Sequence, residues 1–357
     1  MKKLHQAFLV LIAGALAGLV LVASAAGTTA THGTKVRHLQ QPVGALAIDG
    51  DRVAYALSSR NATEPYAASK VLVWNVRTGK TVKVSGKKTA AADDTGTGSG
   101  LGQLVISGTR VAWLFNGGGN TESTDFLFAS STAHPKEKQV STATRNPETD
   151  NGAHLGGLVG SGKTIAFNRW TTDAPGEISS AGLYLLNGTQ PKLIATGAST
   201  VQAVSSDAGR EAVLHQDGSV ALYSKSGELL LTLPPASAKE VALSGKRLVV
   251  VSETRQLQVY DSSSGSLEKT LPTHGSGLHN LDVQGNIAIY TTGPRVRAVN
   301  LSSGKTHAVA TLAKSSEILY ARIGSAGIVY DVDGVREFFG KGTLFFKPMS
   351  QIKAAVG

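Results

Sequence analysis

A ten-residue phrase recurs along the chain and constrains its fold more than any other feature of the sequence. The clearest copy is LVISGTRVAW, Leu104 to Trp113. In each copy a glycine precedes a large apolar residue by five positions. The pairs are Gly50 and Tyr55, Gly108 and Trp113, Gly162 and Phe167, Gly209 and Leu214, Gly245 and Val250, and Gly285 and Tyr290. A seventh copy has Ser325 and Tyr330 at these positions, so one unit is repeated through most of the chain.

The period of this repeat predicts a β-propeller. Successive phrases lie 36 to 58 residues apart, the spacing of four-stranded blades that must stack on their neighbours to bury their faces. We therefore predict an all-β, seven-bladed β-propeller over residues 36–348, with six or eight blades as alternatives, and a C-terminal tail at 349–357. The 41 glycines agree with strands joined by tight turns.

The segment VRHLQQP, residues 36–42, precedes the first copy of the phrase and resembles the ends of later blades, such as LEKTLP at 267–272. We expect it to form the outermost strand of the last blade. Pairing the first strand with the last closes the ring and removes exposed sheet edges.

The N-terminus has the organisation of a secretory signal peptide. Lys2 and Lys3 precede an apolar run, Ala7–Val22, and then the small residues Ala23 to Ala25. We predict cleavage after Ala25, a flexible lead-in at 26–35, and a periplasmic or secreted bacterial protein. The alternative is a retained membrane anchor, because about 18 apolar residues span a bilayer. The absence of cysteine excludes disulfides and a lipid-modified N-terminal cysteine.

The formal charge of +10 indicates a generally basic surface. Lysine and arginine are scattered singly through turns, with no block of five and no interleaved aromatic residues. This pattern argues against a specific nucleic-acid site.

A second recurring phrase predicts turns rather than catalytic carboxylates. Its copies are VLVWNVRTGK, LQVYDSSSGS and VRAVNLSSGK, with the pairs Asn75 and Gly79, Asp261 and Gly265, and Asn300 and Gly304. An Asn or Asp side chain can accept hydrogen bonds from the following backbone, and glycine takes the positive φ that the turn requires.

These phrases, with SDAGREAVLHQDGSVALY at 206–223, resemble the WD-repeat, TolB-like and quinoprotein-like propellers. The resemblance covers nearly the whole mature chain and implies the propeller architecture. The Gly-His dipeptide of WD repeats is missing, and Trp74-Asn75 or Tyr260-Asp261 stands at the Trp-Asp position. The repeated tryptophan-docking motif of pyrroloquinoline-quinone enzymes is also missing, so the resemblance implies no cofactor.

The first three blades carry insertions that we predict to be loops on one face. They are residues 59–69, 87–100, 116–125, 143–154 and 170–181. Each joins the second strand to the third or one blade to the next, and both connections emerge on the same face of an up-and-down blade. Long loops on a rigid scaffold commonly carry binding function. The alternative is tolerated drift in loop length.

We predict that this loop-rich face holds the ligand-binding residues. The candidates are eight carboxylates and one tryptophan: Asp93, Asp94, Glu122, Asp125, Glu148, Asp150, Asp173, Glu177 and Trp170. Trp170 could stack on a sugar or a peptide, or it could close the core between blades. Solvated loop acids are the alternative for the carboxylates.

GLVGSGKT, at 157–164, matches a phosphate-binding loop, but the residues that follow it predict a strand. Because that chemistry requires a helix N-terminus, we predict no nucleotide binding.

Asp331, Asp333 and Glu337 do not have the spacing of a calcium loop. His274 and His279 could meet near the central opening, but they form no helical His pair. We therefore predict neither a metal nor another cofactor.

The sequence favours a non-catalytic binding or scaffolding propeller, whose loop-rich face on blades one to three meets a protein, a peptide or a cell-wall glycan. The alternative is an extracytoplasmic lyase or hydrolase, with acidic and histidine residues over the central channel. A quinone-dependent oxidoreductase ranks last.

Overall fold

The computed structural model describes residues 34–58, 68–87, 89, 100–119, 121–174, 177–196, 201–207, 209–215, 217–234, 238–275, 277–312, 316–318, 320–334 and 341–357. The predicted signal segment, with its alternative as an anchor at Ala7–Val22, and the lead-in as far as residue 33 lie outside these ranges. Within them, no helix has the length and apolar character needed to cross a membrane.

The described elements are 29 strands followed by one helix. The first strand and the first two blades are β1 (Lys35–His38); β2 (Val43–Asp49), β3 (Arg52–Ser58), β4 (Ala68–Asn75) and β5 (Thr81–Lys83); and β6 (Gly100–Ser107), β7 (Arg110–Gly118), β8 (Ser123–Ser131) and β9 (Lys138–Arg145). Blades 3 and 4 are β10 (Gly152–Ser161), β11 (Thr164–Ala174), β12 (Glu177–Asn187) and β13 (Gln190–Thr196); and β14 (Val201–Asp207), β15 (Arg210–His215), β16 (Val220–Ser224) and β17 (Leu229–Leu233).

The later elements repeat the same plan. Blades 5 and 6 are β18 (Glu240–Ser244), β19 (Arg247–Val251), β20 (Gln256–Asp261) and β21 (Leu267–Pro272); and β22 (Leu278–Gln284), β23 (Ile287–Thr292), β24 (Arg295–Asn300) and β25 (Thr306–Thr311). The last blade and the helix are β26 (Ser316–Glu317), β27 (Ala321–Gly324), β28 (Gly327–Gly334) and β29 (Gly342–Pro348), followed by α1 (Met349–Val356).

The strand topology is that of a closed propeller. Blades 1, 4, 5 and 6 are separate four-stranded antiparallel sheets, whereas β6 to β13 form one eight-stranded sheet, which we divide between β9 and β10. The first strands of successive blades contact one another in a cycle, from β2 through β6, β10, β14, β18, β22 and β27 back to β2. The predicted all-β propeller class is confirmed.

The first described strand closes the ring as predicted. β1 pairs antiparallel with β29, from Lys35 opposite Phe346 to His38 opposite Thr343. The last blade therefore takes its outer strand from the N-terminal end of the propeller.

The repeated phrase forms the hairpin between the first two strands of a blade. Its six glycines all have φ between +53° and +84°, a region that glycine enters without steric cost. The phosphate-loop match at 157–164 is such a hairpin, β10 to β11, with no helix after it.

The large apolar residue of each phrase lies in the core between blades. Trp113, Leu214 and Tyr290 have no exposed side-chain surface. The apolar clusters combine residues from neighbouring blades: Val249 and Leu257 of blade 5 pack with Tyr290 of blade 6 in one of them. Stacking thus buries both faces of the second strands, as the repeat predicted.

The second phrase forms the predicted turns. The side-chain Oδ1 of Asn75 accepts hydrogen bonds from the backbone N–H groups of Arg77 (3.0 Å) and Thr78 (2.8 Å). Asp261 and Asn300 make the equivalent pairs of bonds in blades 5 and 6.

The predicted tail contains a helix. Met349, Ile352 and Val356 of α1 are buried against apolar residues of blades 6 and 7. The amide of Asn300 donates to the carbonyl oxygen of Val356 at 3.2 Å, which ties the end of the helix to a blade turn.

Candidate functional site

Two of the predicted loops are in fact extended strands. β7 and β8 remain paired as far as Gly118 opposite Ser123, and β11 and β12 as far as Ala174 opposite Glu177. The prediction of irregular loops at 116–125 and 170–181 was therefore wrong. Pairing satisfies the backbone N–H and C=O groups of the added residues within the sheet, which irregular loops would leave to solvent.

The connection between blades 2 and 3 is also ordered by hydrogen bonds. Arg145 pairs with Gly152, which joins the two blades into one sheet. Between them, Oδ1 of Asn146 accepts the N–H groups of Glu148 (2.9 Å) and Thr149 (3.3 Å). We call residues 116–125, 143–154 and 170–181 together the crest.

A partly buried ion pair lies at the centre of the crest. Oδ2 of Asp125 lies 2.8 Å from Nη1 of Arg145, and the two side chains are 12% and 22% exposed. Oδ1 of Asp125 accepts a bond from Nδ2 of Asn116 at 2.7 Å, and Oδ2 also accepts the backbone N–H of Leu155 at 3.2 Å. Asp125 thus links β8 and β7 of blade 2 to β9 and to β10 of blade 3.

A second set of contacts lies beside this ion pair in blade 3. The rings of His154 and Trp170 stack with centroids 5.0 Å apart and planes 4° from parallel. Nε2 of His154 lies 3.0 Å from Oγ1 of Thr172 and 3.3 Å from the carbonyl oxygen of Asp150, and that hydroxyl also donates to Asp150 O. The Asp150 carboxylate lies 3.9 Å from Nε of Arg145, so the two sets form one network.

The structure brings together three of the predicted site residues: Asp125, Asp150 and Trp170. The other described candidates, Glu122, Glu148, Asp173 and Glu177, lie exposed at the rim of the crest. Asp93 and Asp94 lie outside the described residues.

The sequence reasoning missed four members of the network: Asn116, Arg145, His154 and Thr172. None of the four is a carboxylate or a tryptophan, the residue types that the sequence pattern indicated. One available signal was that Arg145 and His154 bracket the blade 2 to blade 3 connection on either side.

The crest differs in charge from the rest of the chain. It contains six carboxylates and one guanidinium, in a protein whose formal charge is +10. The carboxylates are Glu122, Asp125, Glu148, Asp150, Asp173 and Glu177, and the guanidinium is that of Arg145.

A second polar site lies along the ring axis. A cavity of about 380 Å³ is lined by the first strands of all seven blades, and Glu240, Asp282 and Arg322 are in its wall. Burial raises the pKa of the Glu240 and Asp282 carboxyls, and this effect exceeds the opposing influence of Arg322.

Side chains in this wall also connect successive blades. Glu240 accepts the backbone N–H of Leu281 at 2.7 Å, and Asp282 accepts that of Ile323 at 2.9 Å. The hydroxyl oxygen of Ser205 likewise accepts the backbone N–H of Leu243 at 2.8 Å. In blades 4, 5 and 6, a polar side chain of the first strand thus accepts a backbone N–H group of the first strand of the next blade.

The remaining metal-binding candidates have other surroundings. The Asp331 carboxylate is buried and accepts the backbone N–H of Tyr320 at 2.7 Å. The side chain of Asp333 and all of Glu337 lie outside the described residues. His274 and His279 are exposed, and His279 lies near enough to Glu240 to influence its titration.

No family model and no curated protein sequence matches this chain. Among solved structures, it is similar to the WD40 β-propeller domain of Doa1, with 13% identity and a TM-score of 0.55 over 90% of this chain and 99% of that domain. It also matches BamB from Moraxella catarrhalis, with 11% identity and a TM-score of 0.48 over 86% of each chain. The likeness to the Doa1 domain and the closed cycle of sheets together show that the chain folds as a generic β-propeller.

Proposed function

We propose that this protein is an exported, non-catalytic binding propeller that uses the face of blades 1 to 3, and above all the crest, to dock a protein partner. The observation that carries the proposal is the network centred on Asp125 and Arg145. It holds two lengthened hairpins and one blade connection in a fixed arrangement, on a face where the other described connections are short.

Rigidity supports a binding role because an ordered surface loses less conformational freedom when a partner docks. Paired strands hold the backbone of the hairpins, while Asp125, Arg145 and His154 hold them to one another. The crest is therefore preorganised.

The outer surface of the crest is polar and carries many hydroxyl groups. Thr124 and Thr144 bond to each other at 3.0 Å, and Oγ1 of Thr171 lies 2.9 Å from Oγ of Ser179. The partly exposed ring of Trp170 adds an aromatic surface. Polar rims with aromatic residues are typical of transient protein interfaces, and the excess of carboxylates favours a partner with basic residues.

Site-specific photo-crosslinking in the producing cells tests this proposal. A photoreactive residue at Glu177, on the exposed tip of the β11–β12 hairpin, should give one discrete protein adduct. The matched control places the photoreactive residue at Glu253 instead. Glu253 is exposed in the β19–β20 connection, on the same face of the regular blade 5.

Adducts of equal yield from both positions, or from neither, contradict docking at the crest. An adduct with peptidoglycan or another wall polymer at Glu177 would mean that the crest binds a glycan and not a protein. N-terminal sequencing of the cellular protein tests export separately, since cleavage after Ala25 is expected.

One observation favours the enzymatic alternative: two carboxylates with raised pKa values line the central cavity, a common property of catalytic acids and bases. A lyase or hydrolase there would lose its activity in both Glu240→Gln and Asp282→Asn while keeping its fold.

A further inference from the structure

Three polar side chains lie at one end of the central cavity, where the first strands of blades 5, 6 and 7 begin. Glu240 is the first residue of β18, Asn280 the third of β22 and Arg322 the second of β27. Asp49 and Asp207 also line the cavity but stand at the far ends of β2 and β14, beside the glycine turns. The end of the cavity on the crest face therefore contains both signs of charge.

Glu240 leaves one carboxylate oxygen for a ligand. Its Oε2 accepts the N–H of Leu281 at 2.7 Å, while Oε1 receives no hydrogen bond from the described part of the chain. Both oxygens of Asp282 are occupied by backbone N–H groups, those of Val283 and Ile323, each at 2.9 Å. Of the two, Glu240 is thus the one with a carboxylate oxygen that accepts no hydrogen bond within the described part of the chain.

Arg322 is the cationic counterpart. Its Nη1 donates to the carbonyl oxygen of Ala321 at 2.8 Å and to Oδ1 of Asn280 at 3.2 Å. Within the described ranges it forms no ion pair with any carboxylate. A guanidinium has five N–H donors, so this group retains donors for an anionic ligand.

We infer that this end of the channel binds a small zwitterion, such as a free amino acid, whose carboxylate meets Arg322 and whose ammonium meets Glu240. A simple anion would face Glu240 and Asp282, and a simple cation would face Arg322. A neutral sugar would displace water from Glu240 and Arg322 without offering either group an opposite charge, which is costly. A cavity of about 380 Å³ has the size of a small-molecule site.

Isothermal titration of the purified full chain tests the inference. The probes are L-alanine, L-glutamate and L-lysine, with acetate, ethylamine and glucose as comparators that lack one or both charges. At least one amino acid should bind at least about tenfold more tightly than every comparator, because only a zwitterion can form charge-assisted hydrogen bonds with both groups. Equal or tighter binding of a comparator, or no binding of any amino acid, overturns the inference.

Two substitutions test whether the amino acid binds in the channel. Glu240→Gln keeps an oxygen that can accept the Leu281 N–H but removes the charge, and Arg322→Gln removes the cation. Each should weaken amino-acid binding about tenfold or more, whereas Arg322→Lys should restore part of the affinity and the exposed control Arg295→Gln should not change it. Unchanged affinity in both Gln variants, with thermal unfolding like that of the parent, would also overturn the inference.

Discussion

Blades 2 and 3 and blades 5 and 6 are built from the same repeated phrase but are held together differently. Blades 5 and 6 are separate sheets joined by an apolar cluster and by contacts such as Glu240 to the Leu281 N–H. Blades 2 and 3 share an apolar cluster too, but they also form one continuous sheet and are linked by the ion pair of Asp125 and Arg145. The repeat therefore determines how the apolar faces of the blades stack. The added residues of blades 2 and 3 connect these two blades in a second way, through a shared sheet and an ion pair.

This difference shows what lengthening a blade requires. The regular strands bury apolar residues between neighbouring blades, as Val249 and Leu257 do. In the crest, the apolar core gives way to hydrogen-bonded side chains such as Asn116, Asp125 and His154. Polar side chains that are buried together must satisfy one another, and this gives the crest a defined arrangement.

The largest effect is expected where blade 3 meets blade 4. Gly227, in the β16–β17 turn, has φ +89°, and a Cβ there would overlap the carbonyl oxygen of Ile194. Gly227→Ala should therefore lower the free energy of unfolding by about 3–5 kcal/mol, measured by urea denaturation. Gly245→Ala is the control, because φ is +56° but no atom lies within 4 Å of the added Cβ. The control substitution should lower stability by about 1–2 kcal/mol. Equal losses of stability in the two variants would contradict a close backbone contact between blades 3 and 4 at Gly227.

The second test compares an ion pair of the crest with one in a regular blade. Asp125→Ala removes one acceptor from each of Arg145 and the Asn116 amide, removes the acceptor of the Leu155 N–H, and should cost about 2–3 kcal/mol. Asp51→Ala removes the partner of Arg77 in a pair whose side chains are 38% and 78% exposed, and should cost less than about 1 kcal/mol. The free energy of unfolding of both variants is measured by chemical denaturation. A smaller loss of stability in Asp125→Ala than in Asp51→Ala would mean that the network does not stabilise the crest.

The third test uses pH and concerns blade 4, which lacks the crest. Burial raises the pKa of Glu211 from 4.5 to about 8. Because the folded chain keeps this proton between those values and the unfolded chain releases it, the stability from Glu211 is fully present below pH 4.5. It falls as the pH rises towards 8, by at most about 1.4 kcal/mol per pH unit.

Glu211→Gln should reduce this loss, since an amide keeps the shape and has an oxygen to accept the Ser206 hydroxyl. The measurement is the melting temperature between pH 5 and 8, with the exposed Glu228→Gln as control. Parallel pH profiles for the parent and Glu211→Gln would show that Glu211 is not protonated in the fold.

The smallest effect is expected in the repeated turns. Asn75→Ala removes the acceptor of the Arg77 and Thr78 N–H groups at a position where water can replace it. We expect a loss of about 0.5–1 kcal/mol in urea denaturation. A loss as large as that of Asp125→Ala would remove the distinction between the turn and crest networks.

Much of the fold could be predicted because its signals are local. The glycine of each phrase takes a positive φ, and the apolar residue five positions later enters the core. Both depend on the backbone and on solvent exclusion, so they recur with the repeat. The strand that closes the ring could be recognised by its likeness to later blade ends.

The candidate sites were only partly predictable. Added length at 116–125 and 170–181 showed where the face of blades 1 to 3 differs, but length does not distinguish a loop from a paired strand. Asp125 was among the candidates, yet its partner Arg145 could not be assigned, because that pair depends on the register of β8 against β9. In the central cavity, Glu240, Asn280 and Arg322 come from three different repeats and carry no shared motif.

The sequence by itself determined the repeated blade, its turns and the closure of the ring, because these follow from φ preferences and from burial within one unit and its neighbour. Only the tertiary structure decided that two blades merge into one sheet and that Glu240 and Arg322 share a cavity. Those features bring together residues far apart in the chain, and their pairing is set by strand register and by the circular arrangement of the blades.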